Sequence, residues 1–256
     1  MIEYVDVHKS FDVPVLSGVD LTIETGEMLA IVGPSGTGKS VLLKTTLGLI
    51  VPDMGDARVD GQSVVEADTQ ELQAIRRKVG YVFQYAALFD SMTIFENVSQ
   101  GLPEDILATL DHEEVLRRVC RSLENVNLEP AQILGKLPAE LSGGMRKRVG
   151  LARAIVGEPQ VLLYDEPVTG LDPVNTATVE HLITEIAEKM GVTSVVVTHD
   201  IEGALGFCDR IALLDHGKIR FVGTPDEFRQ SSDPLVLAFA DRHHAAAAAL
   251  RIMEEP

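Results

Sequence analysis

A parallel α/β fold is what this sequence of 256 residues predicts, and three observations carry the prediction. Five short runs are almost continuous in Val, Ile and Leu: MLAIVG (28–33), VGYVFQ (79–84), VLLYDEP (161–167), SVVVTHD (194–200) and IALLDHG (211–217). Runs of that length and uniformity suit strands covered on both faces, the habit of parallel sheets. Helical patterns separate them. The first run opens directly into GPSGTGKS (33–40) and then VLLKTTLGL, which is strand, glycine-rich loop and helix in the order a phosphate cradle needs.

The elements follow in order. At the front, MIEYVDVHKSF and GVDLTIETG alternate apolar and polar residues and are expected to turn at Gly18 and Gly26, which predicts a small antiparallel β-subdomain. Between about 90 and 150 the strand runs stop. Apolar residues there recur at three- and four-residue spacing, as in DHEEVLRRVCRSLENVNL, predicting an α-helical subdomain inserted into the core. The tail PDEFRQSSDPLVLAFADRHHAAAAALRIMEEP contains an alanine run, a strong helix former. It reads either as an arm that grips a second copy or as a loosely ordered end. The expected division is a core over 1–230, with its helical subdomain at about 90–150, and a C-terminal helical extension over 231–256.

Length and charge bound the function. A chain of 256 residues can bury one full core with room for one nucleotide-sized site. The net charge of −17 argues against nucleic acid or anionic lipid as a partner held by bulk electrostatics, since both need clustered Lys and Arg. The N-terminal residues lack an apolar signal region, and no apolar run approaches the roughly 20 residues of a membrane span. The expectation is a cytosolic protein, or one attached to a membrane through a partner. Cys120 and Cys208 are too far apart in sequence for a metal spacing and read as ordinary reduced thiols.

The loop Gly33, Pro34, Ser35, Gly36, Thr37, Gly38, Lys39, Ser40 fits G-x-x-x-x-G-K-[ST]. Its N–H groups and the following helix start aim partial positive charge at an anion. Lys39 supplies the full charge for the β- and γ-phosphates, and Ser40 offers a hydroxyl to magnesium. In an open α/β sheet the ligand lies beyond the carboxyl ends of the strands. The residues ending the other runs suit that place. Asp165 is placed to hold Mg2+, Gln84 to reach the metal and the attacking water, Glu166 to act as general base, and His199 to sense the γ-phosphate. Phe11, in HKSFDVP, has two readings, a stacking platform for adenine or a core residue of the β-subdomain.

LSGGMRKRVGLARAI (141–155) poses a second question, because Ser142, Gly143 and Gly144 begin a helix in the manner of another anion site. One nucleotide cannot explain two cradles in one chain if they lie apart. A head-to-tail dimer does: each copy's Ser142, Gly143 and Gly144 would close over the γ-phosphate held by its partner's Lys39.

LSGGM with RKRVGLARA, VLLYDEP and TGLDP together resemble the ATP-binding cassette (ABC) ATPase family, in family order across nearly the whole chain. The resemblance implies a P-loop NTPase (RecA-like) core, ATP hydrolysis with Mg2+, a homodimer, Asp172 as part of a loop acting across the dimer interface, and His199 as the switch histidine. Met145 stands where the family usually has Gln, and Val168 replaces a frequent Thr. Some of the apolar residues Tyr85, Ala86, Ala87, Leu88, Phe89, Met92, Ile94 and Phe95 are expected to form an exposed groove, which in the family receives a coupling helix of an integral membrane permease dimer. Within the family, FQYAALFDSMTIFENV, the Met-containing signature and SSDPLVLAFADR look most similar to ATPase subunits of Mla-type phospholipid transporters. That implies an MCE-type lipid-binding protein and a STAS-domain regulator as further partners, at the cytoplasmic face of the inner (plasma) membrane. The alternatives are an importer or exporter ATPase for another substrate, such as an amino acid or organic solvent, or a non-transport ABC ATPase.

Overall fold

Alternation at the front of the chain produces the antiparallel sheet it predicts. In the computed structural model, which describes residues 1–240, β1 (Ile2–Ser10) and β2 (Pro14–Ile23) pair from Ile2 opposite Ile23 to Ser10 opposite Pro14. β3 (Met28–Val32), buried at every position, leads to α1 (Lys39–Thr45), then β4 (Met54–Val59) and β5 (Gln62–Ser63). These belong to the first of two units, Met1–Glu66 together with the described chain from Val195 to Ala240; the second is Ala67–Ser194.

The second unit begins with α2 (Thr69–Arg77) and β6 (Val79–Val82), followed by helices α3 (Ile94–Ser99), α4 (Glu104–Leu107), α5 (His112–Glu124) and α6 (Pro130–Ile133). After a 3-10 turn at Pro138–Glu140 come α7 (Gly143–Ile155), β7 (Val161–Asp165) and α8 (Pro173–Met190). β8 (Thr193–Val197) carries the chain back into the first unit, which ends with α9 (Ile201–Phe207), β9 (Arg210–Asp215), β10 (Lys218–Gly223), α10 (Pro225–Arg229) and α11 (Pro234–Ala240). The expected extension over 231–256 thus begins with α11, and its part from 241 on lies outside the described residues.

In the first unit the antiparallel sheet runs β2-β1-β4-β5. Beside it, β3 and β9 pair in parallel from Leu29 opposite Arg210 to Val32 opposite Leu213, and β10 adds antiparallel to β9. The Ser17 amide donates to the Gly217 carbonyl at 2.8 Å, tying β2 to the β9–β10 turn. Tyr4 of β1 is fully buried and its hydroxyl meets Thr46 Oγ1 at 2.7 Å, just past α1; burial pushes the phenol up to about 12.

The expected turn at Gly18 is corrected by the structure. Gly18 lies inside β2, at φ +93°, opposite a bulge in which Asp6 also takes positive φ; a Cβ there would sit 3.1 Å from Asp6 Oδ1. The strands instead turn between Ser10 and Pro14, where the Phe11 amide donates to the Val13 carbonyl. Gly26 does turn the chain, between β2 and β3.

In the second unit β6 and β7 are parallel, from Val79 opposite Val161 to Val82 opposite Tyr164. α3 and α5 pack on α7. Polar residues at the starts of these helices satisfy their first amides: Asp68 caps α2, Thr93 caps α3 and Asp111 caps α5. Buried Asn97 pins the preceding loop. Its Oδ1 accepts from the Phe89 amide at 2.7 Å while its Nδ2 donates to the Phe89, Met92 and Thr93 carbonyls. An α/β core with an antiparallel β-subdomain and a helical subdomain is thus what the chain forms.

Candidate active site

The first unit carries the phosphate loop. β3 delivers the chain to Gly33, at φ +148°, where a Cβ would lie 2.1 Å from the Leu214 carbonyl oxygen, so only glycine fits between strand and loop. Gly36, at φ +82°, faces open space within 4 Å, the side from which a ligand can approach backbone amides. Gly38 is the N-cap of α1 and brings no side-chain acceptor to the helix start. Lys39, only 7% exposed, folds its ammonium into the loop and donates to the Gly33 and Pro34 carbonyls at 2.8 and 2.9 Å. Thr37 Oγ1 donates to the same Pro34 oxygen at 2.9 Å. The loop is thereby folded around its own cation. Pro34 and Ser40 are half-buried, and Ser35 is exposed.

His199 is exposed, one residue past Thr198, whose amide donates to the Ile31 carbonyl at 3.3 Å and whose hydroxyl accepts from the Asp200 amide at 2.9 Å. Phe11 is 59% exposed at the tip of the β1–β2 turn, with the Lys9 ammonium 5.6 Å from its ring centroid. That exposure removes the reading of Phe11 as a core residue.

The second unit carries the strand-end groups. Asp165 closes β7, 7% exposed, and its Oδ2 accepts from the Tyr81 hydroxyl of β6 at 2.9 Å. Glu166 follows at φ +51°, with Oε2 accepting from Thr169 Oγ1 at 3.1 Å. Gln84 is half-buried, two residues beyond the end of β6, and begins a loop in which Ala86 and Ala87 both take positive φ.

Ser142 caps α7: its Oγ accepts from the Met145 amide at 3.2 Å. Ser142 and Gly143 are exposed and Gly144 is buried, where a Cβ would meet Asn175 Oδ1 at 2.6 Å. Asp172 caps α8 with both Val174 and Asn175 amides at 3.1 Å, and its other oxygen accepts from the Asn175 side chain. Those hydrogen bonds, the Asn175 side chain first, hold the Asp172 carboxyl below the usual carboxylate range. One asparagine therefore joins the start of α8 to the start of α7.

Lys147, Arg153 and Tyr81 were missed in the sequence. Lys147 is 8% exposed; its ammonium donates to the Gln84 carbonyl and, at 3.5 Å, to the Glu166 carbonyl. Burial pushes this ammonium below the usual lysine value, against the nearby charge of Glu166. In the sequence it sits in a basic RKR run that looks solvated. The helical spacing Gly144, Lys147, Leu151, three buried residues on one stripe, was the signal that could have found it.

A cavity of about 630 Å³ opens in the second unit, lined among others by Arg76, Arg77, Phe83, Glu104, Asp105 and Arg153. Of the eight apolar residues among which a groove is expected, none lines it. Ala86 and Ile94 are buried, while Tyr85 (79%) and Phe89 (52%) stand exposed. The apolar cluster divides between packing inward and facing solvent, and Asn97 pins its Phe89–Thr93 stretch.

Comparisons with known proteins agree with this architecture. The ABC transporter family profile matches residues 16–169. A sulfate/thiosulfate import ATP-binding protein of Caulobacter vibrioides is 42% identical over 231 residues, 89% of this chain and 66% of that protein, so the chain spans just under two thirds of that relative's length. The ATP-binding protein of an intermembrane phospholipid transport system in Haemophilus influenzae is 37% identical over 232 residues, covering 90% of this chain and 86% of that one. A dimeric ATP-binding cassette in a post-hydrolysis state, bound to ADP and Pi, superposes with a TM-score of 0.79 at 33% identity, over 88% of this chain and 99% of that chain. Phosphate loop, capped signature helix and family match converge: the chain belongs to the ABC transporter family, as its ATP-binding cassette.

Proposed function

We propose that this chain binds and hydrolyses ATP as one half of a homodimer and powers phospholipid transport through an integral membrane permease. The observation that carries the ATPase reading is the loop of Gly33–Ser40 folded around the Lys39 ammonium, with a glycine N-cap that brings no side-chain acceptor to the first amides of the helix. Lys39 exchanges its two carbonyl partners for phosphate oxygens, gaining charge-assisted hydrogen bonds. Glu166 accepts the proton of the attacking water. His199 contacts the terminal phosphate, and exposed Phe11 stacks on the adenine. The donors available to Mg2+ are the Ser40 hydroxyl, the Gln84 amide oxygen and the Asp165 carboxylate. Among the described residues no three His, Cys, Asp or Glu side chains form a metal group. When bound, magnesium neutralises charge developing on the phosphates.

The exposed Ser142 and Gly143 support the composite site, in which each copy completes the nucleotide site of the other, with Asp172 at the contact. Mixing Lys39→Ala with Ser142→Arg subunits tests it. Each variant alone is inactive, whereas their heterodimer keeps one intact site, so the mixture recovers turnover; a mixture as inactive as its components counts against shared sites.

The phospholipid assignment rests on the Met-containing signature, the stretch after Gln84, and the phospholipid-system relative. An MCE-type lipid-binding protein and a STAS-domain regulator follow as partners from that reading alone. Among the described residues no helix is long and apolar enough to cross a membrane, which fits peripheral attachment at the cytoplasmic face of the inner membrane through the permease. A second reading, an importer ATPase for a small solute, is favoured by the 42% identity to the sulfate/thiosulfate import protein. Purifying the native complex and measuring its bound lipid separates the two: lipid-free membrane subunits with a soluble solute-binding partner support the importer.

A further inference from the structure

One face of α7 holds the Gln84 loop from end to end. Lys147 donates to the Gln84 carbonyl, and Arg153, two turns on, donates to the Ala86 and Ala87 carbonyls at 2.6 and 2.7 Å. Between them Gly150 lets the loop approach closely, for a Cβ at 150 would lie 3.1 Å from Ala86 Cβ. The loop needs this support. Ala86 and Ala87 both have φ near +50 to +60°, a conformation a β-carbon resists, and it persists where surrounding contacts enforce it. The same Lys147 ammonium lies 3.5 Å from the carbonyl of Glu166, itself at φ +51°. A buried ammonium needs polar partners, and these two carbonyls come from the two residues assigned to orient and deprotonate water.

We infer that Lys147 is a positioning residue: it clamps the main chain of Gln84 to that of Glu166, so that the two side chains are presented in one fixed relation. This rests on the ATPase reading for its catalytic consequence, but not for the clamp itself. Arg153 holds the far end of the loop and cannot substitute, because its guanidinium is spent on Ala86 and Ala87 and stacks 5.8 Å from the Phe83 ring centroid.

The test compares Lys147→Met, which keeps the stem and removes the donors, with Lys147→Gln, which restores a shorter neutral donor. Amide hydrogen exchange on the nucleotide-free chain reads the clamp directly. The Ala86 amide, bonded to the Phe83 carbonyl at 3.0 Å, is expected to exchange about tenfold faster in Lys147→Met. The Phe89 amide, held by Asn97, is the internal control and stays unchanged. In turnover, Lys147→Met lowers kcat by roughly 10- to 100-fold while ATP affinity stays within about twofold, and Lys147→Gln recovers part of the loss. Unchanged exchange at Ala86 overturns the clamp. Faster exchange throughout the chain, or equal losses of affinity and kcat with no recovery in Lys147→Gln, reduces Lys147 to a folding role and overturns the proposal. Full kcat with a loosened loop does the same. If the wild-type chain shows no ATP turnover, the ATPase reading fails, while the Ala86 exchange still decides whether the clamp exists. Should Lys147→Met not fold, Lys147→Gln against wild type gives the same two readouts at reduced size.

Discussion

Two helices of this chain, α1 and α7, start at glycine-containing turns, and they start differently. At α1 the N-cap is Gly38, which has no oxygen to offer, and the cation of the next residue lies folded on the loop carbonyls. At α7 the N-cap is Ser142, whose oxygen already accepts from the Met145 amide. Gly144 behind it is wedged against Asn175, which is bonded to Asp172. The first start has no side-chain acceptor on its amides, as suits the proposed role of receiving a ligand within its own chain. The second is finished as a helix end and presents an exposed, self-supported surface, as suits a part offered to another copy. A glycine-rich helix start is therefore not one device: what sits at the N-cap decides whether the ligand or the helix is served first.

The variants that strain this comparison begin with Lys39→Ala. Losing the only ammonium in the phosphate loop should lower ATP turnover by about 10²- to 10³-fold. Steady-state phosphate release checks it, and near-normal turnover would remove the functional difference between the two starts. Glu166→Gln, which keeps the shape and abolishes the base, should slow hydrolysis by about 10²-fold or more. ATP binding remains, and dimer accumulates in size-exclusion chromatography with ATP; a variant that turns over rapidly means the base lies elsewhere.

A third expectation concerns what anchors α1. The folded chain holds the Tyr4 phenol neutral, with its value raised from 10.0 to about 12. Protons are thus bound more tightly in the folded than in the unfolded chain between those two pH values. The stabilisation is complete below pH 10 and is lost as pH rises toward 12, on the order of 2 kcal/mol for this group. Burial raises Tyr164 in the same direction, so the contribution of Tyr4 is read as the difference between wild type and Tyr4→Phe in denaturant titrations across that range. A Tyr4→Phe chain with the same alkaline decline as wild type would detach Tyr4 from it. The smallest effect belongs to Ser142→Ala. Loss of one cap costs about 1 kcal/mol, visible as a modest drop in melting temperature. A much larger drop would show that Ser142 supports more of the helical subdomain than its own helix end.

The fold was legible because its signal is physical and local. Strands covered on both faces have to be apolar throughout, and all five runs became β3, β6, β7, β8 and β9. The phosphate loop was legible because a cradle cannot be built without glycine at fixed offsets, as the clash at Gly33 shows. What escaped depended on contacts distant in sequence. Gly18 looked like a turn because glycine is the usual turn residue, yet it answers a bulge at Asp6 twelve residues earlier. The cavity walled by Arg76, Arg77 and the 100–105 stretch had no local signal in the sequence, because its lining residues come together only through the fold. Lys147 hid within a basic run whose other members, Arg146 and Arg148, are more exposed.

The left-handed backbone at Glu166 has one more consequence. A glutamate there holds a geometry that asparagine or glycine would accept with less strain, at a cost of about 1 kcal/mol or more. Replacing Glu166 with glycine or asparagine should therefore recover some stability while removing the carboxylate that the proposed mechanism needs, so stability and the proposed chemistry pull in opposite directions at this one residue.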